Sequence, residues 1–322
     1  MFIILVLYIY IILSEYMVNM YTIILCGVNM LIKRNISVLL IVIILGIIAY
    51  QHKYVFSLIN LSCDIITGGK VGTSGSNKDI GNNHISRTQL RVATFNICSG
   101  YNLFGKPMDL SGRSRDYLIE GGFDIVGLQE VRQNSPAYGT TKDQITTLAQ
   151  DTFPFKRFYN STTVEDTADY GLGLLSKYEA VRHNQYTLPN HEASEPRILT
   201  QSEVFIRGKR IFVFVTHLEW NYDSYRQKQM SFIRDKLDSL KGQSFIVFGD
   251  WNVKSNSEYN IFSDYKIVNG YNNVWYSTYN KTADGLRTLD NIILSNDFKI
   301  NKIDMIYTED SDHSALYVDL EF

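Results

Sequence analysis

The stretch "FIVFGDWNV", residues 245–253, decides the fold. Its first half is a short run of apolar residues that ends at Gly249, and an apolar run bounded by a turn residue predicts a buried strand. A carboxylate, Asp250, and a carboxamide, Asn252, follow immediately. Because a rigid scaffold can aim side chains from its strand ends, the pattern predicts a functional acid and amide at the end of a core strand.

Similar apolar runs recur along the carboxyl-terminal part of the chain. They include "LRVATFN" at 90–96, "FDIVGLQEV" at 123–131, "KRIFVFVTHLEW" at 209–220 and "LDNIILS" at 289–295. Between them, Met230, Ile233, Leu237 and Leu240 recur at spacings of three and four, which predicts an amphipathic helix over residues 224–240. The sequence therefore predicts strands buried on one or both faces, with helices between them.

Polar side chains recur where these strand-like runs end or begin. A single Asn or Asp at such a place is commonly a turn former, and a single His is commonly structural. Taken together, the residues supply carboxylates suited to Mg²⁺ or Mn²⁺, neutral amides, and imidazoles that exchange protons near neutral pH. These are the parts of metal-assisted phosphoester hydrolysis. The set comprises Asn96, Glu130, His217, Asp250, Asn252, Asp290, Asp312 and His313.

Composition limits the possible partners. The chain has 322 residues, 45% of them hydrophobic, with a formal net charge of -2, which is globular material with no overall basic field to attract polyanions. A nucleic acid or an anionic lipid would have to be held locally or through a bound cation. The three cysteines match no metal-ligand spacing. Cys63 and Cys98 could form a disulfide in an oxidising compartment, whereas the apolar surroundings of Cys98 favour a buried free thiol.

The amino-terminal part of the chain is organised differently. Residues 1–50 form a hydrophobic region, and the uncharged run at 36–50 follows Lys33 and Arg34. A basic flank before an apolar run predicts a signal peptide or a retained anchor that places the rest of the chain outside the cytosol, membrane-anchored or secreted. If translation started at Met30, the hydrophobic region would have the pattern of a complete export signal. The alternative to a signal or an anchor is that this region forms a buried hairpin of the core. Residues 51–88 are interpreted as a linker and residues 89–322 as the catalytic domain.

The motifs of the third region resemble a known family. In family order they are "ATFNI", "DIVGLQEV", "YGLGLLSK", "EPR", "FVTHLE", "R..Q" at Arg226 and Gln229, "GDWN", "LDNIILS" and "SDHSAL". The region is similar to the endonuclease/exonuclease/phosphatase superfamily, which includes DNase I-like nucleases, abasic-site endonucleases, inositol phosphatases and neutral sphingomyelinases. The resemblance implies an α/β fold, a four-layer α/β/β/α sandwich of two mixed β-sheets with helices on the outer faces. It also implies a site at one rim of the sheets.

The resemblance also implies roles for the acids and amides. Glu130 would be the principal ligand of Mg²⁺ or Mn²⁺, with Asn96 beside it and Asp312 completing the acidic cluster. Asp250 would orient or deprotonate the attacking water. Asn252 would hold that water or the phosphate.

The basic residues of the motifs would act on the scissile phosphate. His217 and His313 would bind it and stabilise the charge that develops, with Asp290 orienting His313. Arg197 of "EPR" would contact phosphate or else be a surface charge. In nuclease members His217 would pair with an earlier carboxylate, and the sequence offers Glu165, Asp166 and Asp169 for this role.

Three functions fit this reading. A secreted or membrane-anchored nuclease is favoured, with phosphate contacts from Arg113, Arg115, Arg132, Lys142, Arg197 and Arg226. A sphingomyelinase-type phospholipid phosphodiesterase is the alternative, and it would insert an aromatic loop such as "NGYNNVWYSTYN" at 269–280 into the lipid surface. A catalytically silent binding module is the third reading, although such a module has no physical need for both histidines and every carboxylate.

Overall fold

Two six-stranded β-sheets dominate the computed structural model. The structure describes residues 89–106, 113–134, 143–164, 168–281 and 287–322. The predicted hydrophobic region 1–50 and linker 51–88 lie outside these ranges, so the domain boundaries stay predictions. No helix within the described ranges is long and apolar enough to cross a membrane.

The first sheet has the strand order β11-β12-β1-β2-β4-β3. Only the pair β1 and β2 is parallel, and the other neighbours are antiparallel. The sheet is therefore mixed. Its strands are β1 Gln89–Asn96, β2 Ile125–Gln133, β3 Phe155–Val164, β4 Ala168–Ser176, β11 Lys299–Ile306 and β12 Ala315–Glu321.

The second sheet repeats this arrangement in the order β5-β6-β7-β8-β10-β9. Its single parallel pair is β7 with β8, and the remaining neighbours are antiparallel. The first six residues of the stretch at 245–253 form β8, and all six are buried. The strands are β5 Ala180–Thr187, β6 Ile198–Ile206, β7 Lys209–His217, β8 Phe245–Asp250, β9 Lys266–Ile267 and β10 Asp290–Leu294.

Helices cover the outer faces of both sheets and give the predicted four layers. On the first sheet, buried side chains of α1 (Arg113–Glu120) and α2 (Gln144–Ala149) join the outer core. On the second sheet, Met230, Ile233 and Leu237 of α3 (Asp223–Asp238) do the same, which confirms the amphipathic spacing of the sequence. A third apolar cluster fills the space between the sheets. There Gly127 allows close approach, because a Cβ at that position would lie 2.3 Å from the Cβ of Phe248.

Trp251, immediately after β8, anchors the outer core of the second sheet. Its side chain is fully buried, its Nε1 donates to the Asn291 carbonyl at 3.1 Å, and its ring packs on Phe262 at 5.0 Å. Trp251→Ala is expected to lower the free energy of unfolding by about 3–5 kcal/mol, because it leaves a large cavity. Trp251→Phe keeps most of the apolar contact and is expected to cost about 1–3 kcal/mol, mainly the lost hydrogen bond. Urea unfolding of both variants measures the difference, and equal losses would contradict this packing.

Candidate active site

The parallel strand pairs bring four chain segments to one rim of the sandwich. Asn96 ends β1, His217 ends β7 and Asp250 ends β8, while Asp290 begins the antiparallel strand β10 directly opposite Asp250. A cavity of about 520 Å³, here called the rim cavity, opens at this edge. It is lined by the predicted residues Glu130, Arg197, His217, Asp250, Asn252, Asp312 and His313. The polar residues that the sequence placed at separate strand ends therefore share one site.

Asp250 lies at the centre of the hydrogen-bond network. Its Oδ2 accepts a bond from Asn96 Nδ2 at 3.0 Å, and its Oδ1 accepts one from the backbone N–H of Asn252 at 3.0 Å. The Nε2 atoms of His217 and His313 lie 3.5 Å and 3.7 Å from the same Oδ2. Burial raises the pKa of Asp250 to about 7, against the opposing pull of His313. The carboxylate is thus close to a protonation step near neutral pH.

His313 is held between two carboxylates. Its Nδ1 lies 2.7 Å from Asp290 Oδ2, and both side chains are buried. Burial alone would lower the pKa of the imidazole, but Asp290 and Asp250 outweigh it and raise the pKa of His313 to about 10. His313 is therefore an imidazolium at neutral pH, and its proton on Nδ1 is directed at Asp290.

His217 is neutral, in contrast to the positively charged His313. Burial, reinforced by the positive charges of Arg197 and His313, holds its pKa well below the usual range, so the ring is neutral at physiological pH. Its Nδ1 is buried and has no hydrogen-bond partner among the described residues. Asp169 does not supply one, because its carboxylate accepts bonds from Asn134 and Asn160. The other two predicted partners, Glu165 and Asp166, lie outside the part of the chain that the structure describes.

Glu130 occupies an irregularity in strand β2. The register between β2 and β4 shifts between Leu128 and Val131, and Glu130 there adopts a positive φ of 57°. Its Oε1 accepts from Asn96 Nδ2 at 3.0 Å and its Oε2 from Ser99 Oγ at 3.4 Å. Burial raises the pKa of this carboxyl group. A bulge re-aims a side chain, so this one turns an acid toward the rim cavity.

Asp312 supplies the second acid on the Glu130 side of the rim cavity. Its Oδ2 lies 2.8 Å from Lys281 Nζ, whereas its Oδ1 is buried and has no hydrogen-bond partner among the described residues. Burial acts to raise the pKa of Asp312, but the charges of His313 and Lys281 and a hydrogen bond from the free thiol of Cys98 outweigh it and lower that pKa. Asp312 is therefore ionised, with one oxygen available.

These contacts fit a divalent cation held by Glu130 and Asp312. Both carboxylates line the rim cavity and interact electrostatically, and the unpartnered buried Oδ1 of Asp312 is a ready oxygen ligand. Asp250, Asp290 and His313 also place ligand atoms within 4.8 Å of one another. In that group, however, the positive charge of His313 already offsets part of the negative charge of the two acids. Asn96 uses its Nδ2 to orient Glu130 and Asp250, and direct ligation through its Oδ1 stays a prediction.

Arg197 and Asn252 complete the polar lining. Arg197 is only 4% exposed, pairs through Nη1 with Glu195 at 2.9 Å, and keeps a buried Nε without a hydrogen-bond partner in the described structure. It is therefore not the surface charge considered as an alternative. Asn252 has a positive φ of 49° and donates from Nδ2 to the Leu218 carbonyl at 2.9 Å. This bond ties the loop after β8 to the loop after β7.

Comparison with known proteins agrees with this geometry. A model of the Endonuclease/Exonuclease/phosphatase family matches residues 93–313, from strand β1 to His313. The chain belongs to this family. No curated protein sequence matches it. Members of the family are phosphoesterases and nucleases, typically dependent on divalent metal.

Solved structures of the family share the fold. An endonuclease/exonuclease/phosphatase from Beutenbergia cavernae DSM 12333 has 17% identity and a TM-score of 0.59, covering 73% of this chain and 72% of its own. The human Nocturnin catalytic domain has 17% identity and a TM-score of 0.58, covering 73% and 96%. D. rerio TDP2 complexed with single strand DNA product has 18% identity and a TM-score of 0.58, covering 73% and 100%.

Some residues of the family motifs serve structure instead of the site. Arg226 was predicted to contact phosphate, but it is 1% exposed and its guanidinium binds Glu258 and Asp223. Gln229 accepts from the N–H of Glu219 at 2.8 Å and donates from Nε2 to the Pro189 carbonyl at 2.8 Å, so it holds backbone segments together and does not line the rim cavity. Lys142 and the side chains of Arg113 and Arg115 lie outside the described structure. Of the predicted basic residues, Arg132 and Arg197 do line the rim cavity.

Sequence reasoning assigned no site role to several residues that line the rim cavity, and it singled out Tyr279 only as part of the aromatic segment 269–280. Tyr279 packs its ring edge on His313 at a centroid distance of 5.1 Å. The others include Tyr170 and Glu195, which open the motifs "YGLGLLSK" and "EPR" but had no role assigned to them, and loop residues that no site motif singled out. They are Ser99, Tyr170, Glu195, Trp220, Lys254 and Arg287. Only the tertiary fold brings them to the motif residues.

Proposed function

We propose that the protein is a divalent-metal-dependent phosphodiesterase that hydrolyses nucleic acid. The observation that carries the proposal is Asp250 Oδ2, which has a neutral imidazole at 3.5 Å and an imidazolium at 3.7 Å. Asp250 is thereby a base with a neutral hydrogen-bonding ring and a proton donor beside it. The two acids that fit a cation, Glu130 and Asp312, line the same cavity.

The chemistry follows from these charge states. A water molecule attacks phosphorus, Asp250 takes the proton of that water, and a new P–O bond forms as the P–O bond to the leaving oxygen breaks. The imidazolium of His313 supplies a proton to the leaving oxygen, and Asp290 holds that proton donor in place through the 2.7 Å contact. A Mg²⁺ or Mn²⁺ ion held by Glu130 and Asp312 would offset the negative charge of the phosphate.

Arg197 and His217 bind and orient the phosphate. The buried Nε of Arg197 can donate to a phosphate oxygen, and the neutral ring of His217 can donate without repelling the imidazolium of His313. Asn252 fixes the loop that follows Asp250, the residue that activates the attacking water, through its hydrogen bond to the Leu218 carbonyl. Holding nucleophile and phosphate in line in this way lowers the barrier through orientation.

The character of the rim supports nucleic acid over phospholipid. Arg132, Lys254 and Arg287 line the rim cavity together with Trp220, a basic and aromatic combination that suits a nucleic-acid strand. The aromatic side chains of the candidate lipid-inserting loop at 269–280 are half-buried. Asn269 and Thr278 are fully buried, and Val274 is its one exposed large apolar side chain, at 51%. A related fold solved with single strand DNA product, that of D. rerio TDP2, adds support.

Location remains a proposal from sequence alone. The hydrophobic region 1–50 would place the catalytic domain outside the cytosol, anchored to a membrane or secreted. Amino-terminal sequencing of the protein purified from membranes and from medium checks this. A protein found only in the cytosol, with residues 1–50 intact, would contradict it.

A panel of substrates tests the proposed function. The full chain with Mg²⁺ is incubated with supercoiled plasmid, a single-stranded oligonucleotide, sphingomyelin vesicles and mannose 6-phosphate, the last because a mannosyl-6-phosphatase of Bacteroides thetaiotaomicron shares the fold. We expect cleavage of nucleic acid at a rate well above that of the others. Cleavage of vesicles alone would make the protein a lipid phosphodiesterase, and activity on none would favour a silent binding module.

Arg197 gives a prediction specific to phosphate binding. Arg197→Gln is expected to lower kcat/KM for an oligonucleotide about 10- to 100-fold, since it removes a buried charged donor worth about 1.5–3 kcal/mol. Most of the loss should appear as a higher KM. Steady-state kinetics measures it, with Arg207→Gln on an exposed turn as the control. Unchanged kinetics for Arg197→Gln would remove this residue from the phosphate site.

A further inference from the structure

We infer that Trp220 is a stacking platform for an unpaired base of the nucleic-acid strand, next to the phosphate that is cleaved. The inference rests on the proposed function and names the form of substrate that the site selects. An aromatic platform of this kind needs an exposed ring, a rigid support, a position close to the reacting phosphate, and nearby positive charge. Trp220 meets each requirement.

The indole ring is exposed at the edge of the rim cavity. Trp220 is 63% exposed and lines that cavity, whereas Trp251 is fully buried and Trp275 is half-buried against Tyr259. No ring contact joins Trp220 to another aromatic residue in the described ranges. Leaving so large an apolar ring in water has a free-energy cost that a ligand would recover.

The backbone before Trp220 is fixed to the catalytic strand. The N–H of Leu218 donates to the Asp250 carbonyl at 2.9 Å, and the Leu218 carbonyl accepts from Asn252 Nδ2 at 2.9 Å. The position of the ring is thereby linked to Asp250 itself.

Glu219 fixes the backbone around Trp220 itself. It is 1% exposed, its N–H donates to Gln229 Oε1 at 2.8 Å, and its Oε1 accepts from the N–H of Asn221 at 2.8 Å and of Tyr222 at 3.3 Å. A ring on a preorganised backbone loses little conformational entropy on binding. Trp220 is thus a built feature of the rim and not a side chain on a free loop.

The position of Trp220 suits a base adjacent to the scissile phosphate. It follows His217 by three residues, and three residues of extended chain span at most about 10 Å. His217 itself lies 3.5 Å from Asp250, the residue that takes the proton of the attacking water. A base on Trp220 therefore belongs to a nucleotide beside the cleaved bond and not to a distant part of the strand.

Charge near the ring matches a phosphate backbone. Arg132, Lys254 and Arg287 line the same cavity. The Lys254 side chain is 52% exposed and pairs with the half-exposed Asp223 at 2.7 Å, a partner that a phosphate can replace in water. Positive side chains on the rim position the strand, and the ring holds one base.

A membrane surface explains the ring less well. The other large apolar side chains that are exposed in the described residues are Phe104, Ile119, Phe155, Phe205, Val274 and Tyr307, and none of them lines the rim cavity. Interfacial insertion needs a joint apolar surface, whereas a single ring in a cavity that is also lined by cations matches a single base. The base must be unpaired, because a base inside a duplex keeps its faces stacked on its neighbours.

Base-deleted oligonucleotides test the inference directly. Single-stranded oligonucleotides with one base removed at each successive position are cleaved by the full chain with Mg²⁺, and kcat/KM is measured for each. Removal of one base beside the cut is expected to lower kcat/KM about tenfold for the wild type. Trp220→Ala should lose about tenfold on the complete oligonucleotide and nothing further when that base is missing. Trp220→Phe should retain activity within about threefold, which also controls for folding.

The outcomes separate this inference from the proposed function. Cleavage that is equally sensitive to every base, with Trp220→Ala equal to the wild type, would overturn the stacking role and leave the nuclease intact. Equal loss in the alanine and phenylalanine variants would also overturn it. Absence of cleavage of every nucleic acid in the panel would remove the proposed function, and the stacking role with it.

Discussion

Replacing His313 by glutamine will lower kcat/KM for an oligonucleotide about 10³-fold, within the range of acid–base contributions to enzymatic rates. Glutamine preserves a hydrogen bond toward Asp290 but carries no transferable proton and no positive charge. The two buried carboxylates that hold the imidazolium, at 2.7 Å and 3.7 Å, would then lose their counter-charge. Single-turnover kinetics with excess enzyme measures the chemical step, where the loss should appear.

The matched control is His183→Gln. Like His313, His183 has polar partners inside the protein, which are the hydroxyl groups of Tyr159 and Ser202 at 3.0 Å and 2.8 Å. Unlike His313, it does not line the rim cavity. It should keep wild-type activity. Asp290→Asn should resemble His313→Gln, and the double variant should be no slower than either single variant, because the two residues act as one unit. Losses that multiply in the double variant would contradict the coupling.

Glu130→Gln will weaken divalent-metal binding about 100-fold and abolish most activity at low Mg²⁺. The side chain is half-buried, re-aimed by the bulge in β2, and held by Asn96 and Ser99. An amide of the same size keeps these contacts poorly and lacks the charge that a hard cation requires. Isothermal titration with Mn²⁺ gives the affinity without reference to turnover. Asp312→Asn should behave similarly, since its Oδ1 is the second expected ligand.

A surface acid provides the control for metal binding. Asp238 is exposed, pairs with Arg234 on α3 and does not line the rim cavity, so Asp238→Asn should bind Mn²⁺ like the wild type. In the wild type, saturating Mg²⁺ should also raise Tm, because an ion that binds only the native state stabilises it. Equal Mn²⁺ affinity in Glu130→Gln and the wild type would place the metal elsewhere, with Asp250, Asp290 and His313 as the next candidate group.

The sequence predicted that these polar residues lie together because strand ends are a one-dimensional signal. Each motif residue could be placed at the end or start of an apolar run, and the parallel pairs β1 with β2 and β7 with β8 bring those ends together. The four-layer fold and the membership of the family were predicted by the same motifs and are confirmed. Local periodicity also predicted helix α3, to within a few residues of its ends.

Other features depend on geometry that no spacing encodes. The positive φ of Glu130 arises from a mismatch between two strands that are distant in sequence. Arg226 looked like a phosphate contact until the fold placed Glu258 against it. Trp220 looked like the end of an apolar run, and its exposure is set by where its loop leaves the sheet. The different charge states of the two histidines likewise depend on their surroundings: two buried carboxylates keep His313 protonated, whereas burial and the positive charges of Arg197 and His313 keep His217 neutral.

The most direct test of the central claim is cleavage of an end-labelled single-stranded oligonucleotide by the full chain, with Mg²⁺ and with EDTA, for the wild type and His313→Gln prepared identically. The proposed site predicts cleavage by the wild type with Mg²⁺, none with EDTA, and about 10³-fold slower cleavage by His313→Gln. An intact oligonucleotide in every reaction, or equal cleavage by the two proteins, would contradict the claim that this rim cavity hydrolyses nucleic acid.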